Sequence, residues 1–156
     1  MIYEELKGLI TINSIDIYSQ YHAFLCESKD SEFTNYEALL KPSATKTNTA
    51  VNIREKNGED LPSDLLPQND ARDFVLFFAI HGDGESDFYT KYTNFISFLK
   101  TGLNGTGWLD IKLTDLPTAF HVHVKDCSDY KNLTAIDVDL VAAQFKITFH
   151  EPKPFI

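Results

Sequence analysis

Cysteine is nearly absent from this sequence: Cys26 and Cys127 are the only two in 156 residues. Their wide separation excludes a close-set metal motif, and a single disulfide between them stays open but is supported by nothing in this disulfide-poor composition. Long apolar runs are missing as well, and none reaches the ~18–20 residues of a membrane-spanning helix. Basic residues are few, 14 against 23 acids, which leaves a formal net charge of −9. A chain with that balance does not grip a nucleic-acid backbone, because phosphate contacts need clustered Lys and Arg. The opening Met1-Ile-Tyr-Glu-Glu5 lacks the basic stretch of a signal peptide. Catalytic signatures are absent too, with no G-x-S-x-G, no P-loop and no G-x-G-x-x-G.

What is present suits one domain spanning residues 1–156, long enough to bury roughly 70% of its unfolded surface. Hydrophobic residues make up 43% and include 12 Phe and 7 Tyr, a bias toward sheet. The most informative run is Arg72-Asp-Phe-Val-Leu-Phe-Phe-Ala-Ile-His81, apolar at both parities. Such a strand sits between two layers. A Gly-broken acidic turn follows, and then Phe88, Tyr92, Phe95, Ile96 and Leu99 form one helical stripe. The spacing predicts a helix over about 87–101, with Ser86 or Asp87 as N-cap and Gly102 just past its end.

Strands are predicted on both sides of this unit. Ile10 and Ile12 share one face, Ile15 and Ile17 the other parity, so a bulge or tight turn is expected at Asn13-Ser14. Tyr21–Glu27 reads as a strand, and Tyr36–Leu40 suits either strand or helix. Leu109, Ile111 and Leu113 alternate with Trp108, Asp110 and Lys112; Phe120, Val122 and Val124 alternate with His121 and His123. Val138–His150 closes the pattern, and Pro152 and Pro154 end sheet pairing. Between Lys41 and Asp70 only Ala50–Ile53 reads as a strand. Residues 54–70 read as a long exposed loop, of the length that is usually functional or disordered. The fold class is therefore α+β, mainly β: an antiparallel β-sandwich or partly closed barrel with one packed helix.

Three groups invite a chemical reading. His121 and His123, two apart on a strand, point the same way and could begin a zinc site, but no further ligand stands in register. Asp83-Gly-Glu-Ser-Asp87 opens like a calcium loop, yet its sixth position is Phe88 and its twelfth Asn94. An acidic first helical turn accounts for these acids without an ion. Cys127 follows Asp126, which opposes thiolate formation. We expect no catalytic residues, no metal and no cofactor.

Three segments together resemble one family. Val51-Asn-Ile-Arg-Glu-Lys-Asn-Gly58 is similar to the stretch in phage distal tail proteins where an Arg and a Gly precede the first long loop. Arg72 to Leu103 resembles their strand followed by a single helix ending near a Gly. Phe145-Lys-Ile-Thr-Phe149, with Pro152 and Pro154 after it, resembles their closing strand. The resemblance runs from about Val51 onward; the N-terminal third and the large C-terminal domain of many members have no counterpart. It implies a tail-tube-like fold and a virion tail component made in the bacterial cytoplasm. Such proteins form rings, commonly hexamers, with neighbouring tail proteins, without cofactor or catalysis. Tail tube, distal adaptor and terminator all fit.

The residues themselves are compatible with that reading. The loop carries the candidate interface residues Arg54, Glu55, Lys56, Asn57, Gly58 and Glu59. The excess of acids suits a lumen past which DNA slides without sticking. The alternative is a soluble β-sandwich binding module for carbohydrate or protein, which exposed aromatics in a shallow cleft would favour.

Overall fold

Period-two burial and long-range pairing dominate the computed structural model, which describes residues 2–27 and 33–156. The chain is mostly β. Its strands are β1 (Ile10–Ile12), β2 (Ile15–Asp16), β3 (Ala23–Leu25), β4 (Arg72–Gly82), β5 (Leu109–Leu113), β6 (Phe120–Asn132) and β7 (Val141–Glu151). They form a seven-stranded sheet in the order β2-β1-β5-β6-β7-β4-β3, and every pairing is antiparallel. The helices among the described residues are α1 (Ile17–Tyr21), α2 (Thr34–Leu40) and α3 (Glu85–Thr101), besides two short 3-10 turns.

The spine is the β4–β7 pair, in register from Arg72↔Glu151 to Gly82↔Val141. β7 buries Val141, Ala143, Phe145, Ile147 and Phe149 on one face, as alternation predicts. β4 alternates as far as Phe78 and is then buried at every residue to Gly82. Long β6 pairs with β5 through Phe120–Val122 and with β7 from His123 on. Ile10, Ile12, Leu109, Ile111 and Phe120 from one half meet Leu76, Phe78 and Ile147 from the other in a single core cluster.

Helix α3 covers one end of that core. Phe95 packs its ring 5.6 Å from Phe78 and 6.1 Å from Phe145. Phe88, Phe95 and Leu99 are buried, while Tyr92 and Ile96 flank them. Strand and helix approach closely at Gly82, where a Cβ would sit 2.4 Å from the Phe88 Cα. The helix begins at Glu85, two residues before the predicted start. Gly84, at φ 99, is the N-cap, and the Asp87 carboxylate accepts the Asp83 N–H at 2.8 Å. Gly102 closes the helix as expected, donating its N–H to Phe98 O.

Four expectations are corrected. Ile17 starts helix α1 rather than continuing a strand, because the Asp16 carboxylate takes the Tyr18 N–H and the Ser19 hydroxyl. The ambiguous Tyr36–Leu40 stretch is helix α2, so the chain has more than the one predicted helix. Ala50–Ile53 makes only an isolated bridge at Val51. β6 runs on to Asn132 through a polar stretch with two register shifts, which erase the alternation that marks a strand. At Asn13-Ser14 the structure has a tight turn, with both φ positive as a two-residue hairpin loop requires.

Two buried polar devices hold the N-terminal part to β4. Asn35 mimics a strand residue where β3 leaves the β4 edge: its Oδ1 accepts the Phe77 N–H at 2.8 Å and its Nδ2 donates to Cys26 O at 2.7 Å. Beyond it, His22 stacks on His81 with ring centroids 4.9 Å apart. The Tyr18 hydroxyl lies 2.9 Å from His81 Nε2 and accepts the Tyr3 N–H. Burial holds both imidazole pKa values below the ordinary range, helped at His22 by Lys91 and at His81 by His22.

Two outcomes follow from this packing. Phe95→Ala should cost about 3–5 kcal/mol of stability; an unchanged melting temperature would show that the helix does not seal the core. The unfolded chain has histidines titrating near about 6.5, so between that value and the lower native pKa it binds more protons than the native state. Stability should therefore fall as pH drops below about 6.5, and His22→Asn with His81→Gln should flatten that fall. Equal acid sensitivity in chemical denaturation at pH 7 and pH 5 would remove the pair as its cause.

Candidate functional site

Residues 44–70 leave the sheet between α2 and β4. They form an arm whose two limbs touch through the isolated antiparallel bridges Thr45↔Asn69 and Val51↔Asp60. Lys46 N donates to Gln68 O and Asp70 N to Ala44 O near the base; Val51 and Asp60 exchange backbone bonds near the tip. Every residue of the arm is exposed except half-buried Ile53. The candidate interface residues Arg54–Glu59 are brought together at its tip. Lys56 N closes the turn onto Ile53 O, Gly58 sits at φ +74, and Lys56 pairs with Asp60 at 3.5 Å. Arg54 makes no ion pair among the described residues.

Polar residues at the tip were legible in the sequence; the apolar residues on the limbs were not. Val51, Leu61, Leu65 and Leu66 all face solvent, Leu66 at 71% exposure. Leucines set among Pro62 and Pro67 with no helical or strand period were the available signal. An isolated segment with so little buried surface does not offset the entropy of its own ordering, which costs roughly 1–2 kcal/mol per residue.

The arm is rooted by a buried charge. Arg72, the first residue of β4, donates from Nε to Glu151 Oε1 at 2.6 Å, with side chains 8% and 2% exposed. Its remaining nitrogens donate to Leu39 O and Lys41 O at the end of α2. The guanidinium also lies over the Phe74 and Phe120 rings. Next to it, the tail after β7 binds both limbs. Ser43 donates its N–H and hydroxyl to Ile156 O, and Asn69 Nδ2 donates to Pro154 O.

Three further surface features bear on chemistry. His121 and His123 share a face as predicted, but each has other company. His121 stacks on Trp108 at 4.5 Å and bonds Asp110, while His123 meets Trp108 edge-on and lies beside His150. His150 and Lys125 both engage Asp73, Lys125 first, and hold its carboxyl below the usual range. Cys26 and Cys127 are unpaired; burial, and then Glu27, push the Cys26 thiol up to about 12, far from thiolate chemistry. At the opposite end of β4 from the arm, Glu85, Phe88, Tyr89, Tyr92, Tyr130 and Ile136 line a groove of about 650 Å³.

No protein-family model matches the sequence, and a search of curated proteins found no match. The structure is similar to the crystal structure of the SPP1 Dit (gp 19.1) protein, described as a paradigm of the hub adsorption apparatus in phages infecting Gram-positive bacteria. The two proteins share a fold. The TM-score is 0.53 at 11% identity, over 92% of this chain and 49% of that one. The chain spans about half the length of the protein it matches, and at that identity the likeness concerns the fold alone. No helix among the described residues is long and apolar enough to cross a membrane.

Removing one partner of the buried pair should leave the other charge uncompensated. Arg72→Met should cost about 3–5 kcal/mol, and Arg72→Met with Glu151→Leu should cost less than the single change. A double variant less stable than the single one in urea denaturation would show that the pair is not the anchor.

Proposed function

We propose that this chain is a structural component of a phage or prophage tail that assembles into a ring through its arm. The observation that carries the reading is the arm itself, rooted by a buried ion pair yet exposing Val51, Leu61, Leu65 and Leu66. A surface so built is completed by another subunit. The phage-tail-type fold supports the setting. Surface area supports the association: the chain exposes 9650 Å². A compact monomer of 17.7 kDa exposes roughly 8,000 Å². The excess, roughly 1,650 Å², is about twice the ~800 Å² that one partner buries in a standard interface, which matches a subunit with two neighbours.

In this reading the chain is one domain, it binds neighbouring tail proteins as well as its own copies, and its place is the virion tail. The role is architectural rather than catalytic. With 23 acids against 14 bases, acidic side chains line the ring's inner wall and repel passing DNA. Sheet edges add contacts: beyond Val122, β7 is the only strand paired with β6 among the described residues. A second reading, a binding module for carbohydrate or protein, is favoured by the tyrosine-lined groove beside α3.

Deleting Lys56–Leu66 should leave the melting temperature nearly unchanged and abolish self-association in sedimentation velocity. In a prophage carrying this gene, the same deletion should yield particles with absent or broken tails. Normal infectious tails from the deleted prophage would refute the assignment.

A further inference from the structure

The tyrosine groove and the arm have matching needs. Among the described residues, Leu66 on the arm and Tyr89 in the groove, at 71% and 68%, are the two most exposed large apolar side chains. The groove offers Phe88, Tyr89, Tyr92, Tyr130 and Ile136, and is lined as well by Glu85, Ser86 and Thr93. That aromatic surface suits an apolar, proline-bearing peptide. The arm offers Leu61-Pro-Ser-Asp-Leu-Leu-Pro67. Its prolines fix extended backbone and lower the entropy lost on docking, which is how Pro-rich segments bind aromatic-lined grooves. Charge agrees: Arg54 at the arm tip and Glu85 at the groove are both exposed and make no ion pair among the described residues.

Their placement decides whose arm fits. The arm is rooted at Arg72, the first residue of β4, and the groove begins just past Gly82, the last. Eleven extended residues separate the two ends by roughly 33 Å. The arm's root and the groove thus stand at opposite ends of β4, which suits a head-to-tail contact. We infer that the Leu61–Pro67 limb of one copy docks in the Tyr89–Tyr130–Ile136 groove of the next. This rests on the ring reading and specifies its interface. A contact of this kind closes into a ring when its rotation permits and otherwise extends as a filament.

Two variants with changes at exposed positions test it: Leu65→Asp with Leu66→Asp on the arm, and Tyr89→Asp with Ile136→Asp in the groove. Circular dichroism should show both folded. In sedimentation velocity each alone should lose self-association by roughly 100-fold. Mixed in equal amounts they should form a heterodimer and stop there, because one supplies the intact arm and the other the intact groove. If the groove variant assembles like the wild type, the groove belongs to another ligand and this inference is overturned, while the ring reading stands. If the wild type stays monomeric at every concentration, both are overturned.

Discussion

The arm depends on one buried ion pair. Arg72 and Glu151 close the first register position of the longest strand pair in the sheet. The guanidinium also takes the last carbonyls of α2. Three segments that are remote in sequence converge on this side chain: the end of α2 through Leu39 O and Lys41 O, the last residue of β7 through Glu151, and the start of β6 through Phe120. Removing two charges from water is expensive, and a buried pair is weak evidence of stability in itself. Its value here is positional. It fixes the direction in which a segment without a core leaves the fold.

The legible part of the fold was the part governed by period. Phe74 through Ile80, the Phe88–Leu99 stripe, Leu109–Leu113 and Val141–Phe149 are read correctly because burial on one face leaves a mark at every second residue or every helical turn. The illegible part was set by contacts distant in sequence. Helix α2 exists where Asn35 meets Phe77, 42 residues away, and Glu27 caps its first turn. β6 hides its second half because two bulges break alternation and both faces stay exposed.

The candidate site followed the same division. The length of the 54–70 stretch and its prolines marked it as a loop, and Arg54–Glu59 do form its tip. Its limbs were harder to read, since an exposed leucine looks the same in sequence as a buried one. Tyr89 was legible in principle. It lies outside the apolar stripe of α3, and an aromatic on the polar face of an amphipathic helix invites a partner.

In the proposed ring, an arm at one end of β4 and a groove at the other would give the subunit a direction, and a head-to-tail contact of that kind propagates by rotation. If the ring forms as proposed, the arm owes its order to a neighbouring copy. Hydrogen exchange measured across protein concentration tests this most directly, at the Lys46, Val51 and Asp60 amides that bond across the limbs. Exchange should be fast in dilute protein, with strong protection once subunits assemble. Equal protection at every concentration would contradict it.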